Sequence, residues 1–349
     1  MLNRIVSPEW LALGQEPALE PDLPLIDAHH HFWRHRANGP VLRYLLDDFL
    51  ADKNGGHNVV ASVYVECGSE YRATGPAHLQ AVGESEWVNG FAERCRVGGA
   101  ATRGVCAAMV GRADLRQGAA VAELLDAHRA AAPGIFRGVR YVAFHDADQP
   151  PHLQARQIPQ GLLGLPAFRQ GFARLAPRGL SFDATVFHSQ LPEVAALARA
   201  FPGTAIILDH FGSPLGLGRY RDRRDQLFRD WAQGIDDIAR CPNVTLKLGG
   251  LNMDYCGFGW HERPRPPSSE ELATATFDFH RHAIERFSPA RCMYETNFPA
   301  DIYACSYNVQ WNTFKRVAAR LGLSAAEKAA VFHDTAARVY NIPSSQGKL

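Results

Sequence analysis

The sequence predicts an α/β fold, a single (β/α)8 barrel, and three observations predict it. Apolar runs of strand length recur eight times, beginning near Leu25, Val59, Gly104, Phe136, Leu180, Ala205, Val244 and Arg291. Segments with helical apolar spacing lie between most of them, and strands alternating with helices read as βαβ units around a parallel sheet. The chain of 349 residues exceeds the roughly 150 of a common domain, but a barrel absorbs 250 or more in one fold. A doubly wound open sheet is the rival with the same alternation. On the barrel reading, residues 1–24 are an N-terminal extension, 25–342 the barrel and 343–349 a C-terminal tail.

The first candidate strand, Leu25-Ile-Asp-Ala-His-His-His31, turns polar toward its end. Strand side chains alternate, so Asp27, His29 and His31 are expected on one face and Ala28 and His30 on the other. The second, Val59–Val65, leads to Glu66, and the fourth carries Arg140. A Pro/Gln-rich connection then runs from Gln149 to Pro166 with no evident element of its own. The fifth leads to His188 and the sixth to Asp209-His210. Between them a helix starts at Pro192, where a first turn tolerates proline, and stops at Gly203. The seventh carries Lys247 and is followed by Tyr255–Pro267, a loop with Phe258, Trp260 and Arg263; long loops on the carboxyl face of a barrel bind substrates. Ser268 with Glu271, and Ser324 with Glu327, have the capping-box spacing of helix starts. The eighth strand leads to Glu295, Asn297 and Asp301.

Composition narrows the function. Lys plus Arg (37) against Asp plus Glu (36) gives a net charge of +1, without the basic footprint that nucleic acid or an anionic membrane requires. The longest apolar stretches fall far short of the roughly 18 residues of a membrane span. Before Leu25 the charges and prolines do not form a secretory signal, so the chain is read as cytoplasmic. Its 7 cysteines form no C-x-x-C pair, which argues against disulfides and thiolate zinc. A small molecule is the expected partner; homo-oligomerisation is left open.

Polar groups clustering just past apolar strands are the pattern of a barrel active site. His29, His31, His188 and His210, with Glu295, Asn297 and Asp301, are the candidates. Glu66, Arg140 and Lys247 sit in or just after strands, and the two cations either clamp substrate carboxylates or pair with neighbouring acids. Trp260 and Arg263 offer an apolar wall and a cation for an anionic substrate.

The Asp27-x-His29-x-His31 start, His188, Leu208-Asp-His210 and the closing Tyr294-Glu-Thr-Asn-Phe-Pro299 resemble the amidohydrolase superfamily. Within it the chain is most similar to TIM-barrel hydrolases related to 2-pyrone-4,6-dicarboxylate lactonase and sugar-acid lactonases. The resemblance implies hydrolysis of a cyclic ester, with His210 as base and Asp301 next. His29, His31 and His188 would polarise the carbonyl, directly or through a cation. Relatives commonly end the eighth strand with Gly-Ser-Asp-Trp-Pro, where the aspartate is a metal ligand or base, whereas this chain has Asn297 there. An asparagine cannot be a base but can orient water or a carbonyl; Glu295 or Asp301 would replace the carboxylate. The three histidines match the donor number of a catalytic zinc site, but without the anionic ligand no tightly bound metal is expected and no cofactor is required. One loosely held zinc or other divalent ion is the alternative. The resemblance also covers metal-dependent nonoxidative decarboxylases, and a non-catalytic binding barrel that has lost its base is the third reading.

Overall fold

The computed structural model of the protein describes residues 5–36 and 39–343. Eight parallel strands pair in chain order: β1 (Leu25–His30), β2 (Val59–Val65), β3 (Ala108–Arg112), β4 (Phe136–Val142), β5 (Ser181–Thr185), β6 (Ile206–Leu208), β7 (Val244–Leu248) and β8 (Cys292–Tyr294). The ends of the sheet meet, since His31 N–H donates to Phe298 C=O at 2.8 Å and Asn297 N–H to His29 C=O at 2.9 Å. That contact makes a nearly closed barrel and excludes the open sheet. β3 starts four residues later than Gly104, because Gly104 (φ +78°) and Cys106 (φ +50°) turn the chain there.

Helices wrap the outside, and their apolar spacing explains them: Leu227, Trp231, Ile235 and Ile238 form the buried stripe of Arg224–Ala239. The helix after β5 spans Leu191–Ala200, and both capping boxes form, at Ser268–Glu271 and Ser324–Glu327. The connection from Gln149 to Pro166 is built of short turns, Pro151–Gln154 and Leu162–Gly164, anchored by buried Leu153, Leu162 and Leu163. Residues 5–24 pack against the outer helices, with Lys315 Nζ donating to Leu19 C=O at 2.7 Å and Glu20 C=O at 2.8 Å. Residues 1–4 of the expected extension and 344–349 of the expected tail lie outside the described residues. No helix among the described residues is long and apolar enough to cross a membrane.

The interior is layered. Ile26, Val63, Val110, Ile207 and Met293 form an apolar floor, closed from below by Tyr340. Above it lie buried charges, and above those the mouth.

β1 corrects the simple alternation. Its register against β2 shifts between Asp27 and His30, a bulge that re-aims side chains. His29 and His31 face the interior, but Asp27 does not share their face. It turns toward helix Tyr307–Arg320, accepting from Thr296 N–H (3.0 Å), Thr296 Oγ1 (2.6 Å) and Tyr307 OH (3.1 Å). His30 lies on the outer side, stacked on Phe49 at 4.2 Å between ring centres. Asp27 therefore fastens the first strand to the turn after the last. Asp27→Ala should leave those donors buried and unpaired and lower stability by roughly 2–4 kcal/mol, read as a fall in the urea midpoint.

Candidate active site

A cavity of about 1470 Å³ opens at the carboxyl ends of the strands, lined by residues that follow or end them, among them His31, Glu66, Arg112, Arg140, Thr185, His210 and Asn297. Its base is a run of fully buried charges. Lys247 Nζ donates to Asp183 Oδ2 at 2.7 Å and lies 3.0 Å from Asp209 Oδ1 and 3.1 Å from His29 Nδ1. Burial works against the ammonium, but Asp183, Asp209 and Glu295 outweigh it and hold Lys247 charged. Asp183 also accepts from Tyr340 OH at 2.8 Å, and burial pushes its carboxyl up to about 6.

Glu295 joins two histidines. Its Oε1 accepts from His210 Nδ1 at 2.7 Å and from His210 N–H at 3.1 Å, while Oε2 lies 2.9 Å from His29 Nδ1. Burial would raise the Glu295 carboxyl, but His210 and His29 hold it well below the usual range. Burial would likewise lower His210, yet Glu295 raises its imidazole above the ordinary value. Among the described residues no hydrogen bond occupies His210 Nε2, and the ring lines the cavity. The sequence following β7 makes room for this pair. A Cβ at Gly249 would meet Glu295 Cγ at 2.4 Å, and one at Gly250 (φ +74°) would meet His210 Cβ at 2.5 Å.

His31 Nδ1 donates to Val65 C=O at 2.8 Å, which leaves Nε2 a lone pair. That nitrogen lies 3.2 Å from His29 Nε2 and 3.2 Å from Asn297 Oδ1. Asn297 Nδ2 donates to Asp301 Oδ1 at 2.8 Å, and burial raises Asp301 to about 7. Arg140 lies 3.3 Å from His29 Nε2 through Nη1 and 3.0 Å from Glu66 Oε1 through Nε. Arg112 Nη1 is 3.9 Å from Glu66 Oε2, so Arg140 and Arg112 share that carboxylate, and Arg36 and Arg156 also line the cavity.

Three expected placements change. His188 is not on β5, which ends at Thr185; it opens the next turn, where Nδ1 accepts from Leu215 N–H at 3.2 Å and the ring meets Tyr220 at 4.9 Å. The backbone turns before His188 can reach the barrel axis, so it does not cluster with His29 and His31. The metal-ligand-type cluster among the described residues is instead His29, His210 and Glu295, with donor atoms within 4.8 Å. Arg263 is drawn from the mouth by Glu271, 3.0 Å away, and Trp260 is buried against Phe258 at 5.3 Å between ring centres. Gly257, Gly259, His261 and Glu262 of that loop line the cavity in their place.

Asp183 and Asp209 join the site beyond the residues expected from the sequence, where the available signals are strand alternation, which places Asp183 with Thr185, and the position of Asp209 before His210. Tyr340 gave no signal, being 157 positions from its partner. A clasp across the mouth also escaped notice: Arg219 binds both oxygens of Asp146 at 2.7 Å and Asp148 Oδ2 at 2.6 Å, linking the loops after β4 and β6.

Two outcomes follow from these placements. Arg263→Ala should leave KM unchanged in steady-state kinetics and cost at most about 1 kcal/mol, the worth of an exposed ion pair. Asp146 is raised by burial but held at about 2 by Arg219, the Asp148 N–H and Ser189. A folded value below the unfolded 3.8 means that this stabilisation is present above about pH 4 and lost as pH falls toward 2. Asp146→Asn should therefore cost about 1–2 kcal/mol at pH 7 and little at pH 2, compared by denaturant midpoints.

The description "Amidohydrolase" belongs to the family model that matches residues 26–342. The chain is 32% identical over 340 residues to the uncharacterized protein y4mH of Sinorhizobium fredii, covering 92% of this chain and 99% of that one. It is 29% identical over 327 residues to an L-fucono-1,5-lactonase of Burkholderia multivorans, covering 91% and 96%. An amidohydrolase of Burkholderia multivorans solved with bound zinc superposes with a TM-score of 0.64 at 26% identity, covering 91% and 99%.

Proposed function

The chain belongs to the amidohydrolase family, and on that premise we propose that this enzyme is a hydrolase opening a carboxylated or sugar-acid lactone. The Glu295–His210 pair beside Arg140 carries the reading. A histidine whose Nδ1–H is held by a buried carboxylate is oriented and strengthened as a base at Nε2, the logic of a catalytic triad. His210 Nε2 takes a proton from water as its oxygen bonds to the lactone carbonyl carbon. The carbonyl π electrons move to oxygen, where the Arg140 guanidinium balances the developing charge. As the carbonyl re-forms, the ring C–O bond breaks and the leaving oxygen takes the proton back from His210. The product is an open hydroxy acid, and His210 returns to its neutral form.

His29 and His31 take a different part from the one their motif suggested. Neutral imidazole lone pairs cannot polarise a carbonyl oxygen, but His31 Nε2 with Asn297 Oδ1 can accept from the attacking water and aim it, while the fully buried His29 orients Glu295. Arg36, Arg112 and Arg156 suit a carboxylate on the substrate. The L-fucono-1,5-lactonase relative supports cyclic-ester chemistry.

The residues do not fit a tightly bound dication. His29, common to either arrangement of donors, has Lys247 Nζ at 3.1 Å from Nδ1 and Arg140 Nη1 at 3.3 Å from Nε2. A metal on either nitrogen would share its donor with a fixed cation.

A panel of neutral and carboxylated lactones, followed with a pH indicator, tests the reaction. Acid release is expected, fastest with carboxylated members and undiminished after chelation. Alkalinisation with carbon dioxide release would instead indicate decarboxylation, and silence across the panel would favour a binding barrel. His210→Ala should lower kcat by about a hundredfold or more with the fold intact by circular dichroism; near-normal turnover removes it as base.

A further inference from the structure

Lys247 is surrounded as a metal ion would be. Its Nζ lies 2.7 Å from Asp183 Oδ2, 3.0 Å from Asp209 Oδ1, 3.1 Å from His29 Nδ1 and 4.0 Å from Glu295 Oε2. Three carboxylates and one imidazole, all with fully buried side chains, are donors that serve divalent zinc or manganese. Here they enclose an ammonium. Three acids gathered out of water around one lysine are costly unless something keeps them, because each desolvated carboxylate requires a partner. The shell is also the hub of the site: His29 and Glu295 belong to it, and Glu295 holds His210.

We propose that Lys247 is the resident cation of this site, its ammonium filling the position that a divalent ion would take between Asp183, Asp209, His29 and Glu295. The proposal rests on the metal-free reading above. Removal of the ammonium leaves four N and O donors around the space of one head group and three carboxylates without their lysine. That is a vacant site for a dication by both charge and donor type.

The test is zinc content, not turnover. Wild-type chain and Lys247→Ala are each produced with and without added zinc, desalted and measured by elemental analysis. Lys247→Ala should hold roughly one zinc per chain, at least about tenfold more than wild type. Lys247→Ala/Asp209→Ala, which lacks one of the donors, should lose it. Should Lys247→Ala fold only when zinc is supplied, that dependence supports the proposal equally. Near-stoichiometric zinc in the wild type overturns the metal-free reading itself. Metal-poor wild type with an equally metal-poor Lys247→Ala overturns only the role of Lys247. So does zinc retained in the double variant, or insolubility of Lys247→Ala with zinc and without it; a merely structural lysine would give one of these.

Discussion

The ion pair of Lys247 with Asp183 and Asp209 is the constraint around which the barrel interior is organised. A lysine without water requires carboxylates, and those carboxylates require the lysine, so the strands β5, β6 and β7 are tied at one height. Breaking such a pair from one side costs far more than the pair yields in stability. Its use is positional. It fixes His29 from below, and His29 with Glu295 in turn fixes His210 at the cavity, so the His210 imidazole inherits its orientation from the charges beneath it. Tyr340 extends the same chain of contacts to the helical end of the molecule.

Much of this is legible in the sequence. Eight apolar runs alternating with helical spacing were enough for the barrel, since burial on both faces of a parallel strand leaves continuous apolar segments. His29, His31, His210, Glu295, Asn297 and Arg140 were legible because they end apolar strands, and the carboxyl edge is where a barrel gathers its side chains. What failed did so for local reasons. The bulge in β1 reversed the facing of Asp27, and alternation cannot foresee an extra residue. His188 lies three residues past the end of β5, where strand direction no longer governs a side chain. Arg263 read as a free cation because Glu271 stands a helical turn into the next element, and sequence spacing does not reveal that they meet.

The mouth has a division of labour that the motif alone does not disclose. One wall carries Glu66 with Arg112 and Arg140, and the opposite side carries the Glu295–His210 pair. Arg140 and His210 thus come from strands on different sides of the barrel. Loops after β4 and β6, held by Asp146 and Arg219, span part of the rim between them. These loops can therefore vary without disturbing the buried charges beneath His210.

The fastening of Asp27 to Thr296 joins positions 269 apart, and this has a consequence for biogenesis. Glu295 and His29 can meet only after the final strand has been synthesised and docked, so their contact spans most of the chain. Ring closure comes late, with the entropic cost of a very long loop. A prematurely terminated polypeptide consequently carries His29 and His210 without the carboxylate that joins them.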